Sequence, residues 1–167
     1  MNTSEAVENR KEVNVNLRLA KISDAPVLAG LRYALRRRSS GAQESEAEFV
    51  ERCSLWMEDR LRDDGRWRCW VAEKDGTPVG NLWVQLVEKI PNPSSEPEQH
   101  AYITNFYVRE GVRGRGIGST LLSTALDWCK ACQVHTVILW PTEKSRSLYM
   151  RHGFAVRADL LELVLRE

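Results

Sequence analysis

Apolar positions recur along this chain with two periods, and an element ends wherever the period changes. Residues 14–20, NVNLRLA, alternate polar and apolar side chains, which predicts a half-buried strand. From Ser23-Asp24 onward the spacing lengthens. Val27, Leu28, Leu31, Ala34 and Leu35 share one face of a helix reaching about Arg38, with Pro26 in its first turn. Its basic end, Arg36-Arg37-Arg38, suits the negative pole of the helix dipole. A break over residues 39–44 precedes Ser45 and Glu48, which fit a capping box. Phe49, Cys53, Trp56, Met57 and Leu61 then continue at helical spacing to about Arg62, and Asp63-Asp64-Gly65 closes that helix.

Strand-like runs return at residues 67–74 and 77–89, joined by Asp75-Gly76, a strong hairpin turn. Residues 90–99, IPNPSSEPEQ, make a proline-rich connection of the length that functional loops take. Residues 102–108 form a further strand. A loop of Gly and Arg leads into a helix beginning near Gly116, with Gly118, Leu121, Leu122, Ala125, Cys129 and Cys132 on one face. The run HTVILW at 135–140 is a strand, Pro141-Thr142 opens a short helix at 143–151, and 154–157 and 160–166 read as strands. The order β α α β β β α β α β β predicts an α/β (α+β) fold with a mixed sheet and helices on both faces. The strand–helix–strand passage over 102–140 is a βαβ unit with parallel strands. The whole reads as one domain over residues 14–167, preceded by a polar tail at 1–13.

Composition narrows the partners. With 24 basic and 23 acidic side chains in 167 residues, the net charge is +1, which gives no footprint for nucleic acid or a membrane surface. No apolar run approaches the roughly 18 residues of a membrane span, and the N-terminus lacks the apolar centre of a secretory signal. The expected location is cytoplasmic, with Cys53, Cys69, Cys129 and Cys132 reduced. Cys129 and Cys132 form a CxxC, but they sit late in a helix on its apolar stripe and no further ligands lie near. They are read as core, and no metal site is expected.

The chemistry gathers at residues 102–118, YITNFYVREGVRGRGIG. A strand, a Gly-rich turn and a helix start together make an anion site, because the first amides of a helix lack intrahelical partners and carry partial positive charge. Arg113 and Arg115 add guanidinium forks suited to phosphate. The string is not a GxxxxGK[ST] P-loop. Gly114 and Gly116 begin a GxGxxG dinucleotide fingerprint, but Ser119 stands at its third position, which disfavours an oxidoreductase domain.

The string RGRGIG after a strand ending in FYV resembles the cofactor loop of the GNAT superfamily of acyl-CoA-dependent N-acyltransferases. Arg113, Gly116 and Gly118 fill its three fixed positions. Downstream, Leu148-Tyr149 and Gly153-Phe154 resemble the family's second marker at the right distance. The element order from about residue 14 to 167 agrees as well. The family often has Asn and Ala where this chain has Thr142 and Ser145.

The resemblance implies a central, mostly antiparallel mixed sheet of about seven strands with a splayed central pair. It implies acetyl-CoA as cofactor, held by the turn residues Arg113, Gly114, Arg115, Gly116, Ile117, Gly118 and Ser119, by strand backbone at Phe106, Tyr107 and Val108, and by Thr142 and Ser145. A strand N–H, from Val108, would polarise the thioester carbonyl. Tyr149 would protonate the departing thiolate. A base must deprotonate the amine, and Glu88 and His100 are the candidates, with Asn105 and Thr104 placed to orient a relayed water. Trp56, Trp83 and Trp140, with Asn105, are candidate acceptor-binding residues, and His135 and His152 read as surface. The function implied is acetyl transfer to a primary amine of a small molecule or peptide, with a homodimer compatible with the family. The alternative is a non-catalytic acyl-CoA-binding sensor or scaffold.

Overall fold

The computed structural model describes residues 15–37, 43–62, 65–93 and 98–165. Its elements are β1 (Asn16–Leu19), α1 (Ala25–Arg36), α2 (Glu46–Arg62), β2 (Trp67–Lys74), β3 (Thr77–Glu88), β4 (Gln99–Val108), α3 (Ile117–Ala131), β5 (Thr136–Ile138) and α4 (Glu143–Arg151). The strands form one sheet in the order β1-β2-β3-β4-β5, antiparallel except for the parallel β4–β5 pair.

Alternation along the strands gives the sheet two apolar faces, each covered by helices. Trp70, Ala72, Leu82, Val84, Ala101 and Ile103 pack with Leu121, Leu122 and Ala125 of α3. On the other face Cys69, Val71 and Trp83 meet Leu28, Ala29 and Leu31 of α1 and Met57 of α2. The turn at Asp75 (φ 51°) and Gly76 (φ 75°) has both central residues left-handed, which matches the twist of the β2–β3 hairpin. The capping box of α2 is formed: Glu48 N–H donates to Ser45 Oγ at 3.3 Å, and Ser45 N–H donates to Glu48 Oε2 at 3.0 Å.

The start of α1 differs from the expected side-chain cap. A single 3₁₀ turn, Ile22–Asp24, precedes the helix. Arg18 donates to both Asp24 oxygens at 2.7 and 2.9 Å and through Nε to Glu73 Oε2 at 2.7 Å. The same carboxylate accepts Lys21 N–H at 2.7 Å, so Asp24 caps the 3₁₀ turn ahead of α1 while the charged fork ties the α1 entry to β1 and β2.

Three expectations need correction. Among the described residues the sheet has five strands, not about seven. Residues 154–157 and 160–165 carry strand-like sequence, but no neighbouring backbone pairs with them, and alternation without a ladder makes no strand. The strand at 135–140 shortens to β5 because its pairing with β4 ends at Tyr102↔Ile138. Cys132 is exposed just beyond the end of α3, while Cys129 is buried with its thiol pushed up to about 11 by that burial. Residues 1–14, Arg38, residues 39–42, Asp63, Asp64, residues 94–97 and residues 166–167, with the end of the strand expected over 160–166, lie outside the described residues.

Candidate functional site

The site begins where two strands part. β4 and β5 pair only at His100↔Thr136, Ala101↔Val137 and Tyr102↔Ile138. β4 then continues to Val108, and among the described residues no strand pairs with its β5-side edge from residue 103 on. On its other edge the register passes from Trp83↔Thr104 to Asn81↔Tyr107, so Asn105 and Phe106 together oppose Leu82. This is a β-bulge, with Asn105 left-handed at φ 47°, a conformation Asn tolerates. Because side chains alternate with period two, the extra residue exchanges the faces. Before it, Ala101 and Ile103 join the α3-side core. After it, Phe106 and Val108 do so, while Tyr107 turns to the α1–α2 side. The Asn81 amide nitrogen fixes the bulge by donating to the Asn105 carbonyl at 3.0 Å. The side-chain oxygens of Asn81 and Asn105 are buried and find no hydrogen-bond donor among the described residues.

The chain leaves β4 through one 3₁₀ turn, Glu110–Val112, and enters the glycine turn. Gly114 (φ 75°) and Gly116 (φ 79°) are left-handed, and Gly116 is the N-cap of α3. A β-carbon on either would meet nothing within 4 Å, so glycine is needed there for backbone shape and the space above is open. From Gly114 to Ser119 no backbone N–H makes a hydrogen bond among the described residues. A run of unpaired amides at a helix start, with open space before them, fits a pyrophosphate.

Arg113 and Arg115 differ in what they can offer. Arg115 is exposed. Arg113 is folded back on its own loop: Nε donates to the Val108 carbonyl at 2.7 Å, Nη1 stands 3.7 Å from Glu110, and the guanidinium lies 5.3 Å from the Tyr107 ring centroid. In this state it braces the strand-to-turn corner. Ser119 Oγ lies 3.0 Å from His152 Nε2, and His152 Nδ1 lies 2.8 Å from the Leu148 carbonyl. A proton on Nδ1 serves that carbonyl and leaves Nε2 to accept from Ser119. His152 is therefore half-buried and ties α4 to the turn, contrary to its reading as surface.

Tyr149 is 7% exposed, with its ring edge-on to Phe106 at 6.2 Å and to Phe154 at 5.6 Å. It thus stands beside the open edge of β4. Burial pushes its phenol above the ordinary tyrosine range, partly offset by the Ser145 hydroxyl. Thr142 and Ser145 close a capping box: Thr142 N–H donates to Ser145 Oγ at 3.0 Å, and Ser145 N–H donates to Thr142 Oγ1 at 3.3 Å. Both hydroxyls fix the start of α4 and so aim Tyr149.

Not every predicted residue reaches this place. Glu88 and Gln99 pair at the far end of the β3–β4 hairpin, and His100 sits beside them, its ring 5.7 Å from that of His135. At about 3.3 Å per residue, His100 is roughly 20 Å along β4 from Phe106. Trp83 is 1% exposed and packs with Trp56 (6.2 Å) and Trp67 (6.1 Å) beneath α2. Trp140 stands elsewhere, edge-on to Tyr102 at 5.1 Å, where β4 and β5 part. Sequence reasoning missed Asn81 and the role of His152. An amide inside the apolar run PVGNLWV was a usable signal for Asn81. Nothing local marked His152, whose partner is 33 residues away.

A sheet opened between parallel neighbours, with a glycine turn at the end of one and a buried Tyr beside the gap, defines an acyl-CoA-dependent acyltransferase. The chain belongs to the acetyltransferase (GNAT) family, whose sequence profile matches residues 32–154. It is 28% identical over 154 residues to a probable N-acetyltransferase of Mycobacterium tuberculosis, covering 87% of this chain and 83% of that one. Its fold resembles a GCN5-related N-acetyltransferase from Ralstonia eutropha (26% identity, TM-score 0.74, covering 90% of this chain and 98% of that one). It also resembles a predicted acetyltransferase from Clostridium acetobutylicum solved with acetyl-CoA (22% identity, TM-score 0.76, covering 90% and 96%). The protein is an enzyme of this class, and the acyl donor of the family is acetyl-CoA.

Proposed function

We propose that the protein transfers the acetyl group of acetyl-CoA directly to a primary amine of a small molecule or peptide. The observation that carries this reading is one juxtaposition: the unpaired amides of residues 114–119, the open edge of β4 and the buried Tyr149. Acetyl-CoA supplies an activated acyl thioester and a pyrophosphate when bound. The glycine-turn amides, with Arg115, hold the pyrophosphate. Residues 106–108 offer backbone pairing to the rest of the donor. Arg109 N–H donates to the Val79 carbonyl at 2.8 Å, so by ladder alternation Val108 turns its own N–H toward the gap. That N–H is the donor placed to polarise the acyl carbonyl. Tyr149, kept protonated by burial, gives its proton to the leaving sulfur. Thr104, Asn105 and Asn81 stand beside the gap, where their polar groups, two of them unpaired amide oxygens, would orient a water that carries the amine's proton out to bulk solvent. Glu88 and His100 stand too far along the hairpin to take that proton directly.

A homodimer is part of the proposal. Leu161, Leu163 and Leu165 are 93%, 81% and 84% exposed, an apolar stretch that association with a second copy would cover. The function is tested by release of free thiol from acetyl-CoA with a mixed amine library. Amine-dependent release with formation of an N-acetyl product is expected. Tight acetyl-CoA binding with no release for any amine would overturn the reading in favour of a sensor.

A further inference from the structure

Arg32 lies on the inner stripe of α1, one turn beyond the buried Leu28 and Ala29. It is half-buried on a helix that packs against α2, β3 and β4, and its charge is felt at Cys53 of α2 and at the Tyr102 phenol of β4. Among the described residues it has neither a carboxylate partner nor a hydrogen-bond acceptor. Arg18, by contrast, is held by Asp24 and Glu73. A guanidinium withdrawn from water without a counterion is costly, and burial here works against its charge while the neighbouring Arg36 adds to that cost. The sheet face toward α1 and α2 is aromatic. Tyr102 is the last β4 residue paired with β5, and Trp140 sits on its edge. Trp83 faces Thr104 in the register, two residues along β4 from Tyr102, on the same face of the sheet.

We propose that Arg32 is a specificity-determining residue that binds the carboxylate of the acceptor, so that the substrate class is an amine that also carries a carboxylate, with an apolar or aromatic side chain against Tyr102 and Trp140. A planar guanidinium donates two parallel hydrogen bonds to a carboxylate. The amine then points into the gap between β4 and β5, where the acetyl group is offered. This assignment rests on the acetyltransferase reading above.

The test compares matched pairs that differ only in the carboxylate: L-phenylalanine with 2-phenylethylamine, and L-leucine with 3-methylbutylamine. Product formation and calorimetric binding are both measured. In the wild-type enzyme kcat/KM and affinity should favour the carboxylate partner of each pair by roughly tenfold or more, as expected for a lost charge-assisted contact. In Arg32→Ala and Arg32→Gln that ratio should collapse toward one, while melting temperature and acetyl-CoA affinity show an intact fold. Equal use of both partners by the wild type, or variants that lose both partners in proportion, would overturn the carboxylate assignment and leave acetyl transfer standing. No acetylation of any amine would overturn the acetyltransferase reading, and this assignment with it.

Discussion

Tyr149 shows how one side chain joins packing to chemistry. The same burial that places its ring against Phe106 and Phe154 raises the phenol above the ordinary value of 10.0. A raised phenol stays protonated through the neutral range, which is the state a proton donor requires. Tyr149→Phe should therefore lower kcat by roughly a hundredfold with acetyl-CoA affinity nearly unchanged. The wild-type pH–rate profile should be free of any tyrosine titration through neutrality and fall only where the buried phenol ionises, above the ordinary range. The variant should lack that alkaline fall. An unchanged kcat in the variant would remove Tyr149 as the acid. Asn81 and Asn105 contribute differently, since their unpaired oxygens lie buried at the bulge. In the proposed mechanism these orphans orient the water that relays the amine's proton.

At the scale of elements, the glycine turn separates two reasons for having glycine. Gly116 has φ 79° and open space around its α-carbon, whereas Gly118 is helical, with Phe106 and Leu148 at 3.6 and 3.8 Å from a built β-carbon. Gly116→Ala should cost about 1–2 kcal/mol and weaken acetyl-CoA binding, because it strains the turn that aims the amides. Gly118→Ala should cost well under about 1 kcal/mol, because its contacts are of ordinary length. Denaturant midpoints and calorimetric titration of both variants check the contrast; equal losses would mean that packing, not turn shape, sets the requirement. This turn was legible in the sequence, since RGRGIG between a strand and a helix states its own geometry. The Ser45–Glu48 box and the Asp75-Gly76 hairpin were legible for the same reason, as local patterns with local causes. What was not legible depends on pairing between distant segments: the end of the β4–β5 ladder at Tyr102, the face exchange at Asn105, and the engagement of Arg113 with its own loop. Glu88 and His100 are strand-end polar residues in the sequence, and only the register shows that they lie at the end of the hairpin away from the bulge.

For the molecule as a whole, the Arg18–Asp24–Glu73 fork joins the first strand, the α1 entry and the second strand. Arg18, first among its causes, holds the Asp24 carboxyl below its ordinary value of 3.8. Since the folded-state value is the lower one, this contribution is fully present above the ordinary value and is lost as pH falls through it toward the folded value. Asp24→Asn should cost about 1–2 kcal/mol at neutral pH, a figure reduced for partial exposure, and should flatten the loss of stability below about pH 4. Denaturant unfolding at several pH values reads both effects, and an unaltered acid profile would exclude Asp24 as a source. The exposed leucines at 161, 163 and 165 predict self-association at micromolar concentration, which light scattering reports; a strictly monomeric protein would sink the dimer. The central claim is that the open edge of β4 and the glycine turn together hold the acyl donor. Amide hydrogen exchange with and without acetyl-CoA tests it most directly. The amides of residues 103–119 should become protected on binding while the β1–β2 ladder stays unchanged; protection absent there, or confined to other segments, would contradict the account.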